Sequence, residues 1–238
     1  STNTIKTKIY KYVKYYRKDR PVIAEDIRTR TPLSYAIEKN NSDIAKLLIS
    51  RNEININSLC NCTHHESTGY AYYSLERSAK SYLFLAVEND NVEIVRSLLS
   101  NSNININLES SSDTEIYLHR IRNSIHWHIT YKKTALSLAV EKENYEIVKL
   151  LLSNENIDVN CIYRFDDMTK DSKHEEKTPL LMAVAKQNIE IVGLLLANNK
   201  INVNFVENYS EEHSIINEFS SVDCEDKKMN TALSIAIQ

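Results

Sequence analysis

Apolar and polar positions along the chain follow one pattern, written four times and begun a fifth. The full copies run from Thr31 to Asn57, Ser81 to Asn107, Thr134 to Asn160 and Thr178 to Asn204, and Thr231 opens another that Gln238 ends. Each copy starts with a hydroxyl residue able to cap a helix, and after Thr31 and Thr178 comes Pro, which suits the first helical position because no amide donor is needed there. Leu recurs two positions on (Leu33, Leu83, Leu136, Leu180, Leu233) and Ala five on (Ala36, Ala86, Ala139, Ala183, Ala236). This predicts a short helix whose Ala admits a second backbone at close range. Asn41, Asn91, Asn144 and Asn188 then each stand two residues before an acid, which predicts a second helix capped by Asn with a carboxylate complementing its dipole. Its apolar positions, Ile44, Leu47 and Leu48 in copy one and Ile147, Leu150 and Leu151 in copy three, make the i, i+3, i+4 stripe of one buried face. Leu98 and Leu195 hold the last of these positions in the other copies, and Ser97 interrupts the stripe in copy two. Each copy closes on Ile-x-Ile-Asn or Ile-x-Val-Asn, the alternation of extended backbone.

A unit of this size cannot close a core alone and has to stack on its neighbours. The expected fold class is therefore an all-α repeat solenoid of helix-turn-helix units. Its expected divisions are residues 1–30 as the end of a truncated preceding repeat, then 31–80, 81–133, 134–177 and 178–230 as repeats with their connecting fingers, and 231–238 as the start of a fifth. With no initiator Met, and with an end inside a copy, the sequence reads as an excerpt of a longer chain.

The pattern Thr-Pro-Leu-x-x-Ala, then Asn-x-Glu-Ile-Val-x-Leu-Leu-Leu, then Ile-Asp-Val-Asn resembles the ankyrin repeat. The resemblance implies stacked helix pairs with hairpin fingers on one edge, a protein-binding role, and residues 5–16 as the outer helix of the preceding repeat, with Ile5, Ile9, Val13 and Tyr16 as its apolar stripe. Three departures stand out. Ser34, Phe84, Ser137, Leu181 and Ser234 replace the family's usual His; Ser can partly take over its local hydrogen bonding, and Phe84 and Leu181 cannot. Asn40, Asp90, Glu143 and Gln187 replace the Gly between the helices, with local strain expected at the last two. Starts at residues 31, 81, 134, 178 and 231 give spacings of 50, 53, 44 and 53. Against the family's usual repeat of about 33, each unit carries an insertion of about 17, 20, 11 and 20 residues, all in the finger.

The fingers carry the candidate chemistry. The first, residues 58–80, holds Cys60, Cys62, His64 and His65, donor types that zinc prefers, although their spacing is unlike the usual structural sites and a plain polar loop is the better reading. The same finger contributes Tyr70, Tyr72 and Tyr73 as partner-binding candidates. The second, residues 108–133, alternates around Asn123-Ser124 and predicts a β-hairpin. Its Trp127 either packs the finger onto its neighbours or joins His126, His128 and Tyr131 in a contact surface. The third, residues 161–177, is mixed in charge and reads as a solvated loop; the fourth, residues 205–230, is acidic and reads as a solvated, partly mobile finger.

Composition narrows the function. A net charge of −3 gives no overall pull toward nucleic acid, although lysines and tyrosines alternate in residues 5–20. No apolar run reaches the roughly 20 residues of a membrane span. Four cysteines in a chain of 238 residues are no disulfide framework, which favours an intracellular, cytoplasmic setting. With two glycines, Gly69 and Gly193, a phosphate-cradling loop is unsupported, and no catalytic motif is present. The expectation is a non-enzymatic, monomeric scaffold that binds protein partners without a cofactor or metal; the alternative is a regulatory segment of a larger enzyme such as a kinase or ligase.

Overall fold

The computed structural model describes residues 5–17, 20–67, 72–119, 124–168, 171–217 and 220–231. Tyr70 and the residues after Thr231 lie outside them. Among the described residues four helix pairs form the core: α1 (Pro32–Glu38) with α2 (Ser42–Ile49), α3 (Tyr82–Glu88) with α4 (Val92–Leu99), α5 (Ala135–Glu141) with α6 (Tyr145–Leu152), and α7 (Pro179–Ala185) with α8 (Ile189–Leu196). The inner helices α1, α3, α5 and α7 pack in succession, and so do the outer helices α2, α4, α6 and α8.

Local chemistry sets every helix start. Thr31, Ser81, Thr134 and Thr178 cap the inner helices through hydroxyls that accept the amide three residues on, and Asn41, Asn91, Asn144 and Asn188 cap the outer helices in the same way. Ser34 reinforces its start by donating to the Thr31 carbonyl at 3.0 Å and accepting the Thr31 amide at 2.9 Å. Leu33, Leu98, Leu136, Leu151, Leu180 and Leu195 are buried, as are Ala36, Ala86, Ala139 and Ala183, where the inner helices come together. Leu48 is partly buried against this core.

The outer-helix stripe needs correcting in copy one. Ile44 is 50% exposed and Leu47 60%, while Ala45 and Ile49 are buried instead. The residues corresponding to Ile44 in later copies, Ile94, Ile147 and Ile191, bury against the preceding helix pair, and α2 has no such pair among the described residues.

The all-α expectation is overturned by the connections. Ten strands form one antiparallel sheet in chain order, running from β1 (Ile5–Arg17) and β2 (Arg20–Arg30) through β3 (Leu59–Ser67), β4 (Tyr72–Ser81), β5 (Ser110–His119), β6 (Ser124–Lys133), β7 (Tyr163–Asp167) and β8 (Asp171–Lys177) to β9 (Val206–Asn217) and β10 (Ser220–Thr231). Each finger is a hairpin, and each hairpin pairs with the next, so the fold is a helical stack joined along one edge to a continuous sheet. The plain loop expected of the first finger, the solvated loop of the third and the partly mobile fourth are therefore paired strands. The outer helix expected at residues 5–16 is β1, paired with β2. Ile5, Ile9 and Val13 recur every four residues, an even interval that suits a strand's alternation as well as a helix, only Tyr16 keeps to the helical period alone, and the β-branched and aromatic residues of the segment favour the strand.

The four residues in place of the interhelical Gly all adopt left-handed backbone, with φ of 55° at Asn40, 53° at Asp90, 57° at Glu143 and 58° at Gln187. Three of them turn the substitution to use, because their side chains accept from the capping Asn of the next repeat: Asn91 to Asn40, Asn144 to Asp90 at 3.1 Å, and Asn188 to Glu143 at 3.1 Å. Relieving the backbone at Gln187 is thus expected to stabilise the protein, by about 1 kcal/mol for Gln187→Gly in thermal melts. Asp90→Gly forfeits the Asn144 contact and a 2.7 Å ion pair with Lys142, and should show no such gain.

Candidate functional site

Strand pairing sorts the finger residues onto two faces of the sheet. One face carries Cys60, Cys62, His64, Tyr72, Trp127, Tyr131, Tyr163 and Phe165, and it looks over the inner helices. A basic residue just before each inner-helix start fixes that orientation. Arg30 pairs with Glu38 at 2.8 Å, Lys80 with Glu88 at 2.8 Å and Lys133 with Glu141 at 2.7 Å, each tying a strand end to the far end of the helix it leads into. In the fourth repeat Ala185 takes the place of the Glu, and Lys177 turns to Glu175 at 2.9 Å and Glu207 at 3.3 Å. The sequence held this signal, a basic residue just before each helix start and Glu seven residues after it, and the periodicity reading passed over it.

Between this face and the inner helices lies a cleft of about 610 Å³, lined among others by Asp26, Cys60, Cys62, His64, Lys80 and Glu88. Its charged groups are largely committed to one another: His64 Nδ1 meets Asp26 at 2.5 Å, and Lys80 donates to Glu88. Burial pushes the Cys60 thiol up to about 11, opposed in part by a hydrogen bond from Ser34, and burial also raises Cys62. The four possible zinc donors do not converge, since His65 lies on the opposite face, its ring tilted against Tyr73 with centroids 4.9 Å apart. Further along the groove face, Trp127, Tyr131, Tyr163 and Phe165 are half-buried, and the Lys133 ammonium sits over the Tyr131 and Tyr163 rings at 4.9 and 5.0 Å. Burial, then the charges of Glu175 and Glu141, push the Tyr163 phenol up.

The opposite face carries Tyr73, Tyr117, His126 and His128. The contact surface expected to join Trp127 and Tyr131 with His126 and His128 is therefore divided between two sides of the sheet. Tyr73 and Tyr117 meet edge to face at 5.5 Å, and Tyr117 stacks on His126 at 4.2 Å, so a ladder of rings crosses the strands and stops at β6. Beside it, Arg77 donates to Glu115 at 2.9 Å and to Asp113 at 3.2 Å, while His128 Nε2 meets Asp113 at 2.9 Å. Asp113, Glu115 and His128 have donor atoms spaced closely enough for a cation, but Arg77 already spans both carboxylates.

At the far edge of the stack, the closing Asn of one repeat grips the next. Asn57 donates to the Asn103 carbonyl at 2.8 Å and accepts the Asn105 amide at 2.7 Å; Asn107 bonds Asn156 and Asp158 likewise, and Asn160 bonds Lys200 and Asn202.

A family model described as ankyrin repeats (3 copies) matches the chain at residues 11–110, 74–163 and 110–207. No curated protein matches it. No helix among the described residues is long and apolar enough to cross a membrane.

Proposed function

This chain belongs to the ankyrin-repeat family, and from that premise we propose that it is a non-enzymatic protein-binding module, taking its partner in the groove between the hairpin sheet and the inner helices. Ankyrin repeats are generally protein–protein interaction modules. One observation carries the finer reading: Trp127, Tyr131, Tyr163 and Phe165 stand along one face of the groove, half-buried, in a row across β6 and β7. Half-buried aromatic rings keep area to bury against a partner, and such residues dominate binding energetics. The titratable groups of the neighbouring cleft pair with one another, which suits a charged wall better than a reaction centre. The module works as a single array inside the cell, with its cysteines reduced.

Combining Trp127→Ala, Tyr131→Ala and Phe165→Ala tests this. Capture of partners by the immobilised chain is expected to fall at least about a hundredfold, with each hot-spot ring costing about 2 kcal/mol of binding. Trp127→Ala alone should cost about 1 kcal/mol or less of folding stability, as befits a half-buried site. Undiminished capture by a folded triple variant would refute the groove.

A further inference from the structure

On the face of the sheet turned away from the inner helices, the register of β5 and β6 brings three metal-ligating side chains together. Glu115 and His128 stand directly opposite each other, and Asp113 lies two residues from Glu115 on the same strand, so all three share one face. Their donor atoms lie within 4.8 Å of one another, and His128 Nε2 is 2.9 Å from Asp113. The backbone beneath them is fixed. β5 is paired on both sides through this stretch, and the His128 backbone is held by β5 on one side and by the Met168 amide on the other. Side chains opposite each other in a sheet are close enough to meet on one ion, and paired strands hold that spacing before the ion arrives.

Arg77 shows what this cluster attracts. Its Nη1 is 2.9 Å from Glu115 and 3.2 Å from Asp113, so one guanidinium nitrogen stands in for a cation between the two carboxylates. With His128 neutral, a single positive charge faces two negative ones, and the cluster stays under-compensated. Arg77 reaches over from β4 as an exposed side chain, and exposed ion pairs hold weakly. A divalent ion bonded to both carboxylates and to the imidazole neutralises the pair and displaces the guanidinium at little cost. His126, the next imidazole along β6, is stacked on Tyr117 at 4.2 Å with its ring centre 6.4 Å from that of His128, and stays outside the donor set.

We propose that Asp113, Glu115 and His128 form a binding site for a divalent ion of the zinc class, with water completing its coordination. One imidazole with two carboxylates suits zinc, cobalt or nickel, whereas calcium and magnesium demand more oxygen ligands than three side chains on one face supply. The thiols of Cys60 and Cys62 lie on the other face of the sheet and take no part. Binding exchanges one link for another. Arg77 ties the first finger to the second on this face, while the metal ties β5 to β6 within the second, so loading the site releases Arg77 from β5.

The whole chain, freed of metal by a chelator, is titrated with zinc against a chromophoric competitor and, separately, with cobalt(II), whose absorption reports its ligands. One equivalent of zinc is expected to bind with Kd below about 100 µM, and calcium or magnesium in about a hundredfold excess should not displace it. His128→Ala and Glu115→Gln should each weaken zinc at least about tenfold, no less than a metal site loses with an outer-shell partner. Arg77→Gln removes the competing cation and should tighten zinc about fivefold. No binding below about 1 mM, thiolate-to-cobalt charge-transfer bands that place the metal on cysteine, or unchanged zinc affinity in a folded His128→Ala or Glu115→Gln variant each overturns the proposal. So does an Arg77→Gln variant that binds zinc no more tightly than the parent. If a ligand variant does not fold, the His128 ring resonances of the parent decide in its place: they should shift on adding zinc, and ring resonances that stay put overturn the site.

Discussion

Leu151→Ala is expected to lower the free energy of unfolding by about 2–5 kcal/mol, the range for removing a fully buried leucine side chain where the cavity cannot collapse. Leu151 is 0% exposed in the third of four helix pairs, and α6 packs on α4 before it and α8 after it. Backbone on three sides is held by caps and hairpins, so relaxation into the void is limited. For a chain of this size the melting temperature should fall on the order of 10 °C. Leu47→Ala supplies the contrast, since a leucine 60% exposed at the open side of α2 should change stability by about 0.5 kcal/mol or less. Equal effects from the two variants would show that the third pair is not packed as described.

Asn107→Ala should follow at about 2 kcal/mol, from losing two hydrogen bonds between successive repeats. Asn107 donates to the Asn156 carbonyl at 2.8 Å and accepts the Asp158 amide at 2.8 Å, so one side chain ties the loop of the second repeat to that of the third. The loss falls on an interface, and in a repeat array the interface terms hold neighbours in one cooperative transition. Urea unfolding of Asn107→Ala should therefore broaden or divide into two phases as well as shift to lower concentration. Asn107→Asp keeps the acceptor and loses the donor, and should take an intermediate place. A variant with the parent's single sharp transition and midpoint would show that the clamp carries no coupling.

The helical layer was legible because its signals are local. The hydroxyl at each inner-helix start and the Asn at each outer-helix start act through amides three residues away, and one copy displays the whole device. The left-handed turn at Glu143 was readable from its position, but the use of its carboxylate was not, because Asn188 belongs to the next repeat. The fingers failed for a related reason. Sequences such as Leu59–Ser67, with adjacent histidines and two cysteines, have weak strand character by themselves, and become strands because each hairpin finds an edge on both sides. Burial likewise depends on neighbours: Ile44 and Ile147 occupy the same position, yet Ile44 is exposed and Ile147 buried, because among the described residues only Ile147 has a helix pair before it. The candidate surface around Trp127 suffered from alternation, since His126 and Trp127 are adjacent in sequence and face opposite sides of the sheet.

The brevity of the third finger has a mechanical meaning. Strands β4 and β5 are laced together from Tyr72 to Ala79, whereas among the described residues β6 and β7 pair from Ile129 to Lys132, with one further bond from Met168 to the His128 carbonyl. Tension along the stack is carried across the sheet from strand to strand, so the narrowest seam bears the greatest load per bond. The sheet should part there first, turning the array into two stiff halves hinged on the helices α3 to α6 that bridge the seam.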